Sequence, residues 1–228
     1  MIPIGGDGRR GPFPLVVGLL VAANAAVFAQ ELFAADPDAF VNAFALIPYD
    51  LTHGVALPAP SPPLPALTLL TAMFVHGGWL HIAFNMLFLA VFGPAVEAAC
   101  GGTRFLVFYL LCGIAGNVAQ AAVDPGSHVP AIGASGAIAG VLGAYLVRFP
   151  FRSIRTIVPI GWFPLFLRLP AALVIGVWAA FQFLNGFGAV GARAAESQGG
   201  TAYFAHIGGF CTGVLMIGLF ERKGRYVG

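Results

Sequence analysis

The charged residues of this chain are confined to short stretches, and the segments between them are apolar for about 20 residues at a time. A helix rises about 1.5 Å per residue, so about 20 apolar residues cross the hydrocarbon core of a bilayer. Only 9% of the residues are charged, against about 25% in a soluble domain. The pattern predicts a polytopic membrane protein and argues against a soluble enzyme. A formal net charge of +2 gives no reason to expect a nucleic-acid partner.

Six apolar segments are predicted to be transmembrane helices. They cover residues 15–33, 79–99, 104–123, 131–148, 171–190 and 202–220. None shows the alternation of a membrane β-strand, so the predicted fold class is all-α. We expect a single membrane domain over residues 1–228, with a core at about 15–220 and an outer loop at 34–78. The first segment follows Arg9 and Arg10, as a signal peptide would, but its length favours a retained helix.

The basic residues predict the orientation of the helices. With a cytoplasmic N-terminus, ten basic residues lie inside and only Arg193 lies outside. This asymmetry follows the positive-inside rule and predicts that both termini are cytoplasmic. The cytoplasmic connection at residues 148–168 has four arginines among Phe and Trp, which suits contact with an anionic leaflet.

Uncharged polar residues occur near the outer ends of three predicted helices. The second segment carries His81 and Asn85, the fourth carries Ser135, and the sixth carries His206. All three segments run inward, so these side chains lie about 3–9 Å below the outer interface. Polar side chains inside a membrane are costly and usually functional. A shared depth therefore predicts one site.

The residue types at this depth fit acyl transfer. A Ser beside a His supplies a nucleophile and its general base. His81 and Asn85 are four residues apart and share a helix face, where both are donors suited to an oxyanion. With no carboxylate available for His206, the pattern predicts a Ser135–His206 dyad.

Glycines surround both predicted catalytic residues. Gly133 and Gly136 flank Ser135 and allow a close approach of the chain and a substrate. Gly136 and Gly209 each begin a small-xxx-small pattern, which favours close helix packing. Taken alone, each motif is more typical of packing than of catalysis, and only their common depth and order favour a site.

Other chemistries fit the sequence less well. His76 is not followed by Glu, so the His-Glu-x-x-His zinc motif is absent. The predicted helices contain no Asp, which argues against an aspartyl protease. We predict no metal and no cofactor. The three cysteines fit apolar packing, and the outer-loop residues His53 and His128 receive no role.

Three motifs together resemble those of rhomboid intramembrane serine proteases. They are His76-x4-His81-x3-Asn85, Gly133-x-Ser135-Gly136 and Ala205-His206-x2-Gly209-x3-Gly213. The resemblance implies a bundle of six helices that cleaves peptide bonds in or near transmembrane segments. It implies that Ser135 is the nucleophile and His206 the base. It also implies that His81, Asn85 and the Ser135 amide form the oxyanion hole, with His76 in support.

The sequence departs from the rhomboid pattern at two places. Many members carry a Trp-Arg pair in the first outer loop, and residues 34–78 contain none. Many also carry an aromatic residue one turn after the nucleophile, against the catalytic His. This chain has Ala139 there, so either another residue packs on His206 or its ring is freer.

The expected partners are transmembrane protein substrates and the lipid bilayer. The abundance of Arg over Lys, with much Ala and Gly, suggests a bacterial inner membrane with the site facing the periplasm. Two other functions stay open at this point. One is a rhomboid-like protein that binds membrane segments without cleaving them. The other is a small-solute channel, which the apolar inner halves of the helices disfavour.

Overall fold

The computed structural model describes residues 1–6, 13–55, 60–192 and 202–222. The long helices within these ranges are α1 (Leu15–Leu32), α5 (Trp79–Cys100), α6 (Gly102–Val123), α7 (Ser135–Arg148), α8 (Ala171–Ala192) and α9 (Tyr203–Phe220). Between α1 and α5 lie α2 (Pro37–Phe44), α3 (Pro48–His53), a 3₁₀ turn (Pro65–Leu67) and α4 (Thr68–Thr71). Three strands complete the fold: β1 (Ile2–Gly6), β2 (Ser153–Ile160) and β3 (Phe163–Pro170).

Five of the long helices are long and apolar enough to cross a membrane. Their spanning segments are Leu15–Leu32, Trp79–Cys100, Gly102–Val123, Ala171–Gly188 and Tyr203–Phe220. The remaining helix, α7, is apolar but has only 14 residues. The prediction of a polytopic helical bundle is therefore confirmed.

Helix α7 begins later than predicted, at Ser135 rather than at residue 131. Ala131 pairs instead with Leu46 through two backbone hydrogen bonds of 2.8 and 3.1 Å. Gly133 has φ of +109°, which does not fit a right-handed helix, and its N–H donates to the Ala72 carbonyl at 2.8 Å. These contacts, made by residues distant in sequence, hold residues 131–134 out of the helix.

Helix α7 lies at the centre of the bundle. Its residues 136–145 are all buried, and its neighbours are α5, α6, α8 and α9. At about 1.5 Å per residue the helix is about 21 Å long, shorter than a bilayer core of about 30 Å. A helix of this length cannot reach both membrane surfaces.

The contact between α7 and α9 is made through glycine backbones. A side chain at Gly209 would overlap the Gly136 carbonyl, and one at Gly213 would overlap the Gly140 carbonyl. Lipid tails are as apolar as side chains, so helices in a membrane associate by such close packing rather than by the hydrophobic effect. The predicted role of Gly136 and Gly209 in close helix approach agrees with this geometry.

Helix α1 is attached to the bundle by a buried carboxylate. Glu97, near the end of α5, accepts the backbone N–H groups of Val16 at 3.0 Å and Val17 at 2.8 Å. The first N–H groups of a helix have no partner within it, so this carboxylate caps α1.

A three-stranded antiparallel sheet at the C-terminal end of α7 was not predicted from the sequence. Strand β2 lies between β1 and β3. Its Ile154 is fully buried in the main core, while the far end of the β2–β3 hairpin is exposed. The arginines that the structure describes all lie at this end of the bundle, and Arg148 forms an ion pair there with Glu221.

Replacing Gly213 with Ala should destabilise the bundle, because the added methyl group would meet the Gly140 backbone, which has no flexible side chain to move away. We expect the free energy of unfolding to fall by about 2 kcal/mol or more. Thermal unfolding in detergent micelles measures this loss.

The matched control is Gly218→Ala, five residues later on α9, where an added Cβ meets nothing within 4 Å. We expect its melting temperature to be unchanged or slightly raised, since Ala favours helix by about 0.5–1 kcal/mol over Gly. Equal melting temperatures for the two variants would contradict the close α7–α9 contact.

Candidate active site

Ser135 and His206 are joined by a hydrogen bond. The Ser135 hydroxyl, on the first residue of α7, donates to Nε2 of His206 in the first turn of α9, with 2.7 Å between the heavy atoms. The glycine contact between α7 and α9 holds the two backbones at this separation. The structure thus brings together the two residues predicted as nucleophile and base, and their catalytic roles stay a prediction.

The other nitrogen of His206 faces an amide on α8. Nδ1–H of His206 donates to Oε1 of Gln182 at 2.8 Å, and both side chains are buried. This bond places the proton on Nδ1 and leaves Nε2 free to accept from Ser135. Gln182 was not identified from the sequence because the expected partner of a catalytic His is a carboxylate. In the sequence it is one of two amide residues, with Asn185, in an otherwise apolar helix.

An indole ring packs on the imidazole of His206. Trp178 lies one turn before Gln182 on α8, and its ring centroid is 5.9 Å from that of His206, with 40° between the planes. One face of α8 therefore supplies both the hydrogen-bond acceptor and an aromatic contact. Of the two alternatives left open by Ala139, the structure has another residue packed on His206, and it comes from a different helix.

The Ser135–His206 pair lines a cavity of about 630 Å³ together with His81 and Asn85. Asn85 Nδ2 is buried and, within the described part of the chain, makes no hydrogen bond. Nδ1 of His81 accepts from the Gly77 N–H at 3.3 Å, so the ring proton is on Nε2. The structure thus brings two side-chain donors to the cavity that holds Ser135.

Gly133 lies directly against the two donors. A Cβ built on Gly133 would be 2.6 Å from Nε2 of His81 and 3.5 Å from Nδ2 of Asn85. A side chain at this position would fill the space between the donors and the nucleophile. Gly136 and Gly209 act further inside, where they set the distance between α7 and α9.

His76 lies behind His81 and does not line the cavity. Its ring meets the His81 ring edge-on at 5.1 Å, and its Nδ1–H donates to the Phe74 carbonyl at 3.2 Å. Its backbone N–H donates to the carboxylate of Glu31 on α1 at 3.2 Å, a second contact not foreseen from the sequence. Burial, reinforced by repulsion from His81, lowers the pKa of His76 to about 4, so this ring is neutral at pH 7.

Comparison with known proteins gives the family. The model of the rhomboid domain matches residues 65–223. The chain belongs to the rhomboid family. The chain is 40% identical over 85 residues to the putative rhomboid protease YdcA of Bacillus subtilis (strain 168), covering 37% of this chain and 42% of that protein. It is 49% identical over 78 residues to rhomboid protease GluP of the same organism, covering 34% of this chain and 15% of that one.

Similarity to rhomboid proteins extends beyond enzymes. An "Inactive rhomboid protein 1" of Drosophila melanogaster is 33% identical over 78 residues, which is 34% of this chain and 5% of that protein. The chain spans less than half the length of each of these three relatives. Family membership therefore gives the fold and leaves activity to be argued from the site.

The remaining histidines of this rhomboid protein lie elsewhere. His53 and His128 both stack on Tyr49, with ring centroids 4.1 and 4.3 Å apart, and neither lines the cavity. In the described ranges, no group of three or more His, Cys, Asp or Glu side chains is placed to hold a metal ion.

Replacing Gln182 with Leu should change the tautomer of His206. The variant keeps a similar volume but removes the acceptor for Nδ1–H, so the imidazole loses the contact that fixes its proton. We expect ¹⁵N NMR of labelled histidine to show a single Nδ1–H tautomer in the wild type and a mixture in Gln182→Leu. The matched control is Asn185→Leu, where the amide donates to the Phe181 carbonyl of its own helix. Identical His206 spectra in the wild type and Gln182→Leu would rule out this role.

Proposed function

We propose that this rhomboid protein is an intramembrane serine endopeptidase with a Ser135–His206 dyad. The observation that carries the proposal is the 2.7 Å hydrogen bond from the Ser135 hydroxyl to His206 Nε2, at the wall of a cavity that two further donors line. A nucleophile, a base and oxyanion donors around one space are the components that acyl transfer requires.

Acylation begins when Ser135 Oγ attacks the carbonyl carbon of the scissile peptide bond. His206 Nε2 takes the hydroxyl proton, and Nδ1–H keeps its bond to Gln182 during the transfer. The carbon becomes tetrahedral and its oxygen gains negative charge. When the C–N bond breaks, the leaving amine receives the proton from His206 Nε2, and an ester joins the substrate to Ser135.

The developing oxyanion is stabilised by donors already present at the cavity. Nδ2 of Asn85 makes no hydrogen bond to the described residues, and Nε2–H of His81 lies close by against Gly133. Ser135 is the first residue of α7, and the first N–H groups of a helix lack partners within it. The positive end of the helix dipole adds to the same field.

Deacylation reverses the proton transfers. A water molecule attacks the ester carbon while His206 Nε2 takes its proton, and the C–O bond to Ser135 then breaks. The Ser135 oxygen recovers the proton, and the new carboxyl product leaves. Water reaches the ester through the cavity that Ser135 lines.

The proposed substrates are transmembrane segments of other membrane proteins. Apolar side chains form most of the rest of the cavity wall, including Leu80, Phe84, Ile138 and Leu142. Such a lining suits the apolar residues of a membrane segment, while the polar groups are confined to the reacting end. We place the protein in a bacterial inner membrane, with the arginine-rich end inside and Ser135 toward the periplasm.

Replacing Ser135 with Ala should abolish proteolysis, because no other group at the cavity would form the ester. Purified wild type and variant are incubated in vesicles with a single-pass membrane substrate, and the fragments are measured by mass spectrometry. We expect a loss of at least about 10³-fold in cleavage rate, and a similar loss for His206→Ala.

The matched control is Ser153→Ala, which removes a hydroxyl on β2 at the other end of the bundle and should leave cleavage unchanged. A fluorophosphonate probe should label the wild type at Ser135 and not label Ser135→Ala. Equal cleavage by wild type and Ser135→Ala, or no labelling of the wild type, would favour a non-catalytic binder of membrane segments.

Replacing Asn85 with Ala should lower kcat without a comparable change in KM, since its amide meets the oxygen only when charge develops on it. Loss of one oxyanion donor costs about 10²–10³ in kcat. Steady-state cleavage of the same substrate separates the two constants. Asn42→Ala, on exposed α2, is the control. A rise in KM with unchanged kcat would assign Asn85 to substrate binding instead.

A further inference from the structure

The far end of the β2–β3 hairpin is an exposed apolar surface. We name residues 157–167 the hairpin tip; none of them has a charged or hydrogen-bonding side chain except the Trp162 indole. Trp162 is 98% exposed, Phe163 79% and Phe166 68%. Exposed apolar patches of this kind mark contact with a protein or a membrane.

Among the residues that the structure describes, the hairpin contacts the bundle at its base. Ile154 and Thr156 of β2 are buried, and β1 pairs with β2 along Ile2–Gly6. Beyond this region the β2–β3 pairing continues to Ile160↔Phe163. The strands rise about 3.4 Å per residue, so the paired hairpin carries its tip well away from the helices as an ordered element.

Arginines lie at the base of the hairpin, next to the apolar tip. Arg155 and Arg168 are direct partners across β2 and β3, so their guanidinium groups are on the same face of the sheet. Residues 148–170 contain four arginines and no Asp or Glu, so the segment is strongly positive. A positive segment is attracted to anionic lipid at a membrane surface.

A membrane surface offers apolar contacts for the hairpin tip and anionic phosphate for the arginines at its base. The hairpin connects α7 to α8, and the lipid-facing side of α8 continues from it with exposed Leu173 and Val177. Trp is typical of the region between headgroups and acyl chains, and arginines beside it pair with phosphate. A protein partner would account for the apolar tip but not for its continuity with the lipid-facing helix surface.

The depth of insertion is limited by backbone polarity. Strand β3 is an edge strand, and N–H or C=O groups on an open edge are too costly to place in hydrocarbon. Pro164 and Pro170 remove two N–H groups from this strand. These features suit the headgroup region, where water and lipid carbonyls are available.

We propose that the β2–β3 hairpin is a membrane-surface anchor, with Trp162 and Phe163 inserted among the headgroups and Arg155 and Arg168 bound to anionic lipid phosphate. The anchor is independent of the proposed peptidase activity. It fixes the inner ends of α7 and α8 to the bilayer surface.

The experiment uses the full chain in lipid nanodiscs with brominated acyl chains. Subtracting the fluorescence of Trp162→Phe from that of the wild type isolates the Trp162 signal, and this exposed residue is replaced without loss of packing. We expect bromolipid near the headgroups to quench that signal by about half or more, and bromine deep in the chains to quench it less. The matched control is Trp79→Phe, which isolates an exposed Trp at the start of α5.

The lipid charge is tested by adding phosphatidylglycerol to phosphatidylcholine nanodiscs. We expect Trp162 quenching to increase with the anionic lipid in the wild type and to stay constant in an Arg155→Gln, Arg168→Gln variant. Quenching of Trp162 by aqueous iodide with no effect of bromolipid would overturn the proposal. Protection from both quenchers that grows with protein concentration would also overturn it, in favour of contact with a second copy.

Discussion

The backbone contact between α7 and α9 determines how Ser135 and His206 lie relative to each other. Gly136 and Gly140 of one helix meet Gly209 and Gly213 of the other, and no side chain separates the two backbones. In a membrane, where lipid removes most of the hydrophobic drive for association, such close packing is a main source of helix affinity. The same approach sets the Ser135–His206 distance. The same glycines therefore pack α7 against α9 and set the distance between Ser135 and His206.

The position of Ser135 also depends on where α7 begins. Gly133, at a φ of +109°, and the backbone pair between Leu46 and Ala131 delay the helix until Ser135. The hydroxyl thus occupies a helix N-terminus, where backbone N–H groups and the helix dipole favour a negative charge. At its other end α7 is followed by the sheet, whose buried Ile154 joins the main core. A helix too short to cross a bilayer is thus completed at both ends by non-helical structure.

Most of the bundle was predictable from the sequence, because an apolar segment of about 20 residues between charges is long enough for a transmembrane helix. The grouping of four polar residues was predictable because the predicted orientation of the helices gives each residue a depth in the membrane. Ser135, His206, His81 and Asn85 share one such depth. The start of α7 was not, since it depends on contacts with residues far away in the chain. The sheet was missed because residues 157–167 are apolar on both faces and lack the alternation of a half-buried strand. Gln182 was missed because a carboxylate was the expected partner of His206, and the depth of a residue does not show which side chains of other helices it contacts.

The partner of His206 is the neutral amide of Gln182 rather than a carboxylate. In the proposed mechanism, a carboxylate would stabilise the imidazolium formed when Ser135 loses its proton, but a buried charge is costly within a membrane protein. Gln182 accepts the same Nδ1–H and fixes the same tautomer without that cost. The neutral amide contributes less to stabilising the ion pair of the transition state. In the proposed mechanism, more of that stabilisation therefore comes from the oxyanion side, where Asn85 and His81 adjoin the cavity and α7 begins. A fixed arrangement of those donors is then the main electrostatic requirement of the proposed mechanism, and Gly133 lets the chain before α7 lie directly against His81 and Asn85.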